Sequence, residues 1–319
     1  PLWRLALPGE RLTTAMCAAN GLLILTAYMS FSPLTIDALA INVNTHALAW
    51  RASIPSLPAL SGYAPLAADA GLLFVGSLGG SVRALRLSDG SLAWKMRISA
   101  TVTSGPGATG PVSLGVATRD GLLIVYDSTG EVVSVRPGDG ATLWGRPLAL
   151  VTYAPGRVTL TGSSLYVCGV SAKTALRTLI ALDPATGATR WSRPTACALA
   201  APIESGAYLY TLDGFSLTVV RASDGSFVWH GAPAENDLGY VDLSSDDGVI
   251  FVATTIANYR VLGLCSDWWQ HGFPFCHSSN YIAAFNGATG QSYWRADGYD
   301  HLLGLGVADN TSGWVIGVR

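Results

Sequence analysis

The apolar positions of the chain fall into short runs that recur. Six of them follow a turn and read as strands: Gly21-LLILTAY, Gly71-LLFVGS, Gly121-LLIVYD, Ser164-LYVCGV, Ala207-YLYTLD and Gly248-VIFVAT. Each is followed by a second apolar stretch, then an Asx or Gly turn, then a strand holding a Trp. Strong β formers punctuated by turn residues at about 8–12 residue spacing predict an all-β array. No segment keeps a helical period over a useful length.

The repeating unit is a frame that is clearest at Ala181–Trp191, ALDPATGATRW. It recurs at Ala40–Trp50, Ala84–Trp94, Ser134–Trp144, Val219–Trp229 and Ala284–Trp294, and Trp3 stands in PLWRLAL without its upstream half. Successive Trp residues lie about 40–50 positions apart, the period of a four-stranded propeller blade, with one longer interval between Trp229 and Trp294. The D/N-x-x-T/D-G element predicts a tight turn between third and fourth strands, its Gly supplying φ > 0. The large Trp ring is then placed to dock between neighbouring blades. His46 stands where the frame has Gly, and is expected to be exposed.

These residues resemble the PQQ-like (quinoprotein-type) β-propeller repeat. The tryptophan-docking frame of that family, A-x-D-x-x-T-G-x-x-x-W, is matched at every specified position by residues 181–191, and the resemblance covers essentially the whole chain. It implies one seven-bladed domain over residues 1–319 with four-stranded blades, docked by Trp3, Trp50, Trp94, Trp144, Trp191, Trp229 and Trp294. The expected blades are 12–54, 62–98, 112–148, 156–193, 198–231 and 238–296, with a seventh built from 301–319 plus 1–7. No sequence remains for the third strand of that seventh blade. Either the chain, which opens at Pro1 as a mature or trimmed form does, has lost it, or the blade is open. An open blade is a template for strand addition by another chain, and head-to-tail addition gives a polymer.

Composition narrows the class. The chain has 319 residues, of which 50% are hydrophobic and 13% charged, and a mean hydropathy of +0.36. Typical domains are about 25% charged, and the apolar content excludes a disordered protein. The net charge of −2 gives no general attraction to nucleic acid or anionic lipid. No run of about 18 apolar residues offers a membrane span; the stretch 52–68 is broken by Pro55, Pro58 and Pro65. Only Lys95 and Lys173 are lysines among 19 Lys and Arg. A GC-rich genome accounts for that skew, and so does a surface covered by partners, where Arg is favoured over Lys.

Candidate chemistry is sparse. The PQQ-dependent enzymes that the resemblance brings in use the quinone with a calcium ion, on longer chains with more blades, and many place a disulfide of adjacent cysteines over it. This chain has no adjacent Cys pair, and no cofactor is expected. Glu235, Asp237 and Asp300, on connections between late blades, are the candidate cation ligands, with solvated loop acids as the alternative. His46, His230, His271, His277 and His301 show neither HxH nor HExxH spacing, and no GxSxG or GxxxxGK[ST] motif occurs. No catalytic residue is assigned.

The departure from the repeat is an insertion at 255–278 between the second and third strands of the sixth blade. It carries Trp268, Trp269, His271, Phe273 and Phe275, residue types that anchor interfaces or stack on sugar rings, between Cys265 and Cys276, a loop-stapling disulfide pair. Such a loop either binds a partner or plugs the propeller channel. Cys168 and Cys197, on neighbouring repeats, are a second candidate disulfide, leaving Cys17 as a buried apolar thiol. Asn310 opens a glycosylation sequon. The expectation is an extracellular or otherwise extracytoplasmic propeller acting as a non-enzymatic scaffold. Its partners are other proteins, copies of itself, or glycans. A self-assembling filament subunit and a PQQ- or metal-dependent oxidoreductase are the alternatives.

Overall fold

A computed structural model describes residues 11–28, 35–55, 66–77, 80–98, 114–151, 158–195, 197, 202–212, 217–231, 238–246, 248–256, 280–299, 301–308 and 312–318. They form two compact units. One comprises residues 1–165 with 182–188, the other residues 166–181 with 189–319. Both are built from strands, and among the described residues no helix is long and apolar enough to cross a membrane.

The first unit holds three four-stranded antiparallel sheets, each hydrogen-bonded in chain order. They are Arg11–Ala19, Leu22–Tyr28, Thr35–Asn42, Leu48–Pro55; then Leu66–Asp69, Leu72–Ser77, Ser81–Arg86, Leu92–Arg97; then Leu114–Arg119, Leu122–Asp127, Glu131–Val135, Thr142–Pro147. The short strands Leu150–Val151 and Val158–Leu160 follow. Next come the strands Leu165–Ser171, Arg177–Leu182 and Thr189–Pro194, whose residues 166–181 and 189–194 lie in the second unit, while Leu165 and residues 182–188 belong to the first. The fifth sheet is Ile203–Ser205, Tyr208–Leu212, Leu217–Arg221, Phe227–His230, and the sixth Leu238–Asp246, Val249–Ile256, Asn280–Asn286, Ser292–Tyr299. A seventh sheet has two strands, His301–Ala308 and Ser312–Val318.

Sheets with both faces covered explain the apolar half of the composition. In the second sheet Leu73 and Val75 pack beside Ile24, Ile36 and Trp50, while Phe74 turns to the other face with Leu123 and Val125. The second unit repeats this with Tyr210, Leu217 and Val219 against Ile250 and Val252. Each such buried side chain contributes about 1.5–3 kcal/mol relative to exposure.

One irregularity recurs and aims the tryptophans. The first residue of the frame pairs directly with the Trp: Ala40 with Trp50, Ala84 with Trp94, Ser134 with Trp144, Val219 with Trp229, Ala284 with Trp294. Immediately beyond each pair the register shifts by a bulge. A bulge bends its strand and re-aims the side chain next to it. Opposite the Trp stands Ala or Ser in four of these pairs and Val219 in the fifth.

Candidate functional site

The bulged tryptophans build a repeated contact. The Trp50 indole Nε1 donates to the carbonyl of Leu87 at 2.7 Å, Trp94 to Pro137 at 2.7 Å, and Trp144 to Pro184 at 2.9 Å. In the second unit Trp191 donates to Ala222 at 2.9 Å and Trp229 to Gly287 at 3.1 Å. Each acceptor is the fourth residue of the following frame. The seventh residue of that frame is Gly, at positive φ, and lies against the same ring. A Cβ built on Gly90, Gly140, Gly187, Gly225 or Gly290 would stand 2.7–2.9 Å from the six-membered ring of Trp50, Trp94, Trp144, Trp191 or Trp229 respectively. The frame glycine therefore meets two demands, left-handed backbone and the absence of a side chain under an indole.

Two chemistries hold the turns. Asn42, Asp183 and Asn286 accept two backbone N–H groups each, two and three residues on, as Asx turns. Asp89, Asp139 and Asp224 do the work from three positions later, accepting from the N–H of Ser91, Ala141 and Ser226. Hydrogen bonds hold each carboxyl below its ordinary pKa range, chiefly from the Ser91 hydroxyl and then its N–H at Asp89, from the Ala141 N–H at Asp139, and from the Ser226 N–H and then its hydroxyl at Asp224; Arg86, Arg136 and, at Asp224, Arg193 with Arg221 assist. The fixed motif is thus one carboxylate or amide per turn rather than an Asp at one position.

Arg146 adds a second clamp. Its guanidinium donates to the Gly187 carbonyl at 2.7 Å, beside the Trp144 contact. Arg193 holds the same place after Trp191, with its Cγ 2.8 Å from a Cβ on Gly225. Sequence reasoning missed these arginines; their signal is an Arg two residues after the frame Trp.

The series changes at its two ends. Trp294 keeps its own-sheet packing, with its ring centroid 6.1 Å from that of Phe251, as Trp94 keeps Phe74 at 5.8 Å. Yet Trp294 is 46% exposed, against 7% for Trp50 and Trp191, and no hydrogen bond is made by its indole N–H among the described residues. At the other end, Val43 occupies the acceptor position of the first frame and is 42% exposed, where Leu87 is 3%. His46 occupies the glycine position at φ 58 and is exposed, as expected from the sequence. Five tryptophans thus make the indole-to-turn contact among the described residues; Trp294 makes none there, and Trp3 lies outside them.

This alternation of strands, turns and docked rings has a sequence counterpart among known families. The family model described as outer membrane protein assembly factor BamB, a PQQ-like repeat model, matches residues 1–109, 35–198 and 128–297. The chain belongs to this PQQ-like β-propeller family. Among solved structures it is similar to BamB from Moraxella catarrhalis, at 16% identity and TM-score 0.60, over 92% of this chain and 78% of that one. It is similar to a europium-containing methanol dehydrogenase at 12% identity and TM-score 0.60, over 91% and 72% of the two chains. The computationally designed Ika8 protein matches at 12% identity and TM-score 0.58, over 95% and 92%. Such identities show the fold alone. No curated protein matches the chain.

The outermost strands of this PQQ-like chain share a surface character. Leu48, Leu92 and Leu143 in the first unit are 42–45% exposed, and Phe227 and Tyr293 in the second are 62% and 53% exposed. The same strands carry Arg51, Lys95, Arg97 and Arg146 in the first unit, and Arg190, Arg193 and Arg295 with a single acid, Asp297, in the second. An open cleft of about 580 Å³ runs along the Trp50–Leu87 contact; its one titratable lining group, Arg86, is tied to Ser91 and Leu92.

Cys168 and Cys197 form a disulfide, with S–S 2.09 Å and Cα atoms 6.1 Å apart. Cys17 is a free thiol, and burial pushes it up to about 11. The third sheet holds a buried acid that the sequence did not single out. Asp127 is fully buried, and its Oδ1 accepts from the Thr129 N–H, the Thr129 hydroxyl and the Glu131 N–H, which fixes the hairpin. Glu131 beside it is shifted up by burial and then by the Asp127 charge. In the first sheet, buried Asp37 accepts from the Ser53 hydroxyl at 2.6 Å and has Arg51 at 3.7 Å. The cation-ligand candidates Glu235, Asp237 and Asp300, the loop residues Trp268, Trp269, His271, Phe273 and Phe275, the Cys265–Cys276 pair and Asn310 all lie outside the described residues. Among the described residues no three His, Cys, Asp or Glu side chains gather as a metal site would need.

Proposed function

We propose that the protein is a seven-bladed, extracytoplasmic interaction scaffold rather than an oxidoreductase. In this reading the two-stranded seventh sheet is the start of a last blade, and residues 1–7 with Trp3 contribute its outer strand. The observation that carries it is the rim of the sheets. Four of the outermost strands expose a large apolar side chain and carry a basic residue, as Leu48 with Arg51, Leu92 with Lys95, Leu143 with Arg146 and Tyr293 with Arg295. Exposed apolar groups ringed by Arg are typical of protein-binding surfaces. Rigid docking of sheet on sheet supplies the frame such a surface needs. The disulfide supports an oxidising compartment. The family description, an outer membrane protein assembly factor, fits a role in organising other proteins.

The dehydrogenase neighbours give the rival reading. Calorimetric titration of the pure protein with pyrroloquinoline quinone and calcium separates the two. The scaffold reading expects no saturable heat. Stoichiometric quinone binding with alcohol-dependent dye reduction would overturn it.

A further inference from the structure

We infer that the outer half of the second sheet carries a binding site for a phosphate group, built from Arg83, Lys95 and Arg97. The site goes beyond the scaffold reading and does not depend on it.

Register brings the three cations together. Arg83, on the strand Ser81–Arg86, pairs directly with Lys95 on Leu92–Arg97, and Arg97 pairs with Ser81 two positions along. Residues opposite each other, and those two apart, share one face of a sheet. The face in question is the one that Leu85 and Val75, the other cross-strand partner of Arg83, turn toward the first sheet. The residues of the first sheet in that cluster include Ile36, Ala38, Ala52 and Ile54, none of which offers a side-chain acceptor. Within this apolar setting the Arg83 Nε–H is buried and has no hydrogen-bond partner among the described residues. A buried donor without an acceptor is unfavourable, and one supplied by a ligand relieves it. Lys95 stands exposed beside it.

No nearby acid offsets this charge. Between Asp37 and Asp120 the sequence has two acids, Asp69 and Asp89. Both belong to the opposite end of the sheet. Asp69 closes the first strand and accepts from the Thr118 hydroxyl, and Asp89 sits in the turn after the third strand, bonded to the Ser91 N–H. Asp37 alternates with Ile36 and Ala38, so it lies on the other face of the first sheet, where Ser53 and Arg51 engage it. A chain of net charge −2 thus gathers three of its 19 Lys and Arg on one face without a counter-charge. Charge and acceptor count select the ligand. A phosphate group brings about −1.5 to −2 charges and three strong acceptor oxygens at neutral pH; a single carboxylate brings one charge and two oxygens. Arg83 and Arg97 supply planar forks and Lys95 a point charge, the two modes by which proteins hold phosphate.

Thermal unfolding of the full chain tests the site. Sodium phosphate is expected to raise the melting temperature above that in sodium chloride of equal ionic strength, and the rise should follow one-site linkage. Arg83→Met keeps an apolar stem and removes the unpaired donor. The variant should therefore melt no lower than the unaltered protein in chloride, yet bind phosphate at least about tenfold more weakly. Lys95→Met gives a smaller loss. Arg86→Met is the control for charge alone, since Arg86 is tied to Ser91 and Leu92 at the other end of the strand, and it should keep the full response. O-Phosphoserine in place of phosphate separates the sources: tighter binding than inorganic phosphate identifies a monoester as the ligand, weaker binding the free ion. Absence of a phosphate-specific rise, or a rise that Arg83→Met leaves intact, overturns the inference. So does a marked fall in the melting temperature of Arg83→Met in chloride, because it makes Arg83 a structural residue with an internal acceptor.

Discussion

The Trp144 ring lies on Gly187, at a distance where a Cβ would stand 2.7 Å from its Cε3, and its indole N–H closes on the Pro184 carbonyl of the same turn. Gly187→Ala is therefore expected to destabilise the protein twice over, through its φ of 72 and through the displaced ring, by about 2–4 kcal/mol in all. Gly121 is the control. Its φ is 75 but nothing lies within 4 Å of an added Cβ, so Gly121→Ala should cost about 1 kcal/mol. Urea denaturation of the two variants reads the difference; equal losses would remove the ring from the argument.

The tryptophans should divide in the same way. Trp50 is 7% exposed and hydrogen-bonded, and Trp50→Ala should cost about 3–5 kcal/mol as a buried aromatic truncation. Trp294 is 46% exposed and makes no indole hydrogen bond among the described residues, so Trp294→Ala should cost about 1–2 kcal/mol. Thermal unfolding of both variants checks the order.

Much of this was legible in the sequence, and the boundary is physical. Strands, turns and the identity of the docking residues repeat with a fixed period, so local pattern exposes them. Which turn receives which ring is a contact between frames, and the sequence carries it only as an otherwise redundant glycine, as at Gly225 under Trp191. The carboxylate was harder to place, because Asp183 and Asp139 hold equivalent turns from different positions. Arg146 on Gly187 and the buried Asp127 were not seen, since an Arg in an outer strand and an Asp in a hairpin look like ordinary solvated residues until their partners are known. The end of the series was legible only indirectly: the frame ending in Tyr293-Trp294 reads like the others, and the signal is that no complete frame follows it.

Acid should loosen the turns in a defined window. Asp89, Asp139 and Asp224 have their pKa lowered by folding, chiefly through hydrogen bonds from Ser91, Ala141 and Ser226. A lowered folded-state pKa means the stabilisation is present above the unfolded-state value, near 4, and disappears as pH falls through the lower folded value. The melting temperature should therefore drop as pH falls below the unfolded-state carboxyl value near 4. The triple Asp→Asn variant, which keeps the acceptor and removes the charge, should flatten that drop. An unchanged slope would place the acid sensitivity elsewhere.

Thiol chemistry should separate the described cysteines. The Cys168–Cys197 bridge spans 29 residues, and Cys197→Ser should cost about 3.5 kcal/mol in the loop-closure account. Cys17, with its thiol pushed up to about 11 by burial, is almost all thiol rather than thiolate at neutral pH. Iodoacetamide should leave it unmodified in the folded protein and alkylate it in urea, as read by peptide mass mapping. Rapid native alkylation would contradict its burial.

The account's central claim is that each frame Trp is locked onto the glycine turn of the next frame and that the series opens at Trp294. Solvent exchange of the indole N–H protons, followed by NMR on ¹⁵N-tryptophan-labelled protein with one Trp→Phe variant per assignment, tests it most directly. Trp50, Trp94, Trp144, Trp191 and Trp229 should exchange slowly and Trp294 fast. A protected Trp294, or any of the other five exchanging as quickly as it does, would contradict the account.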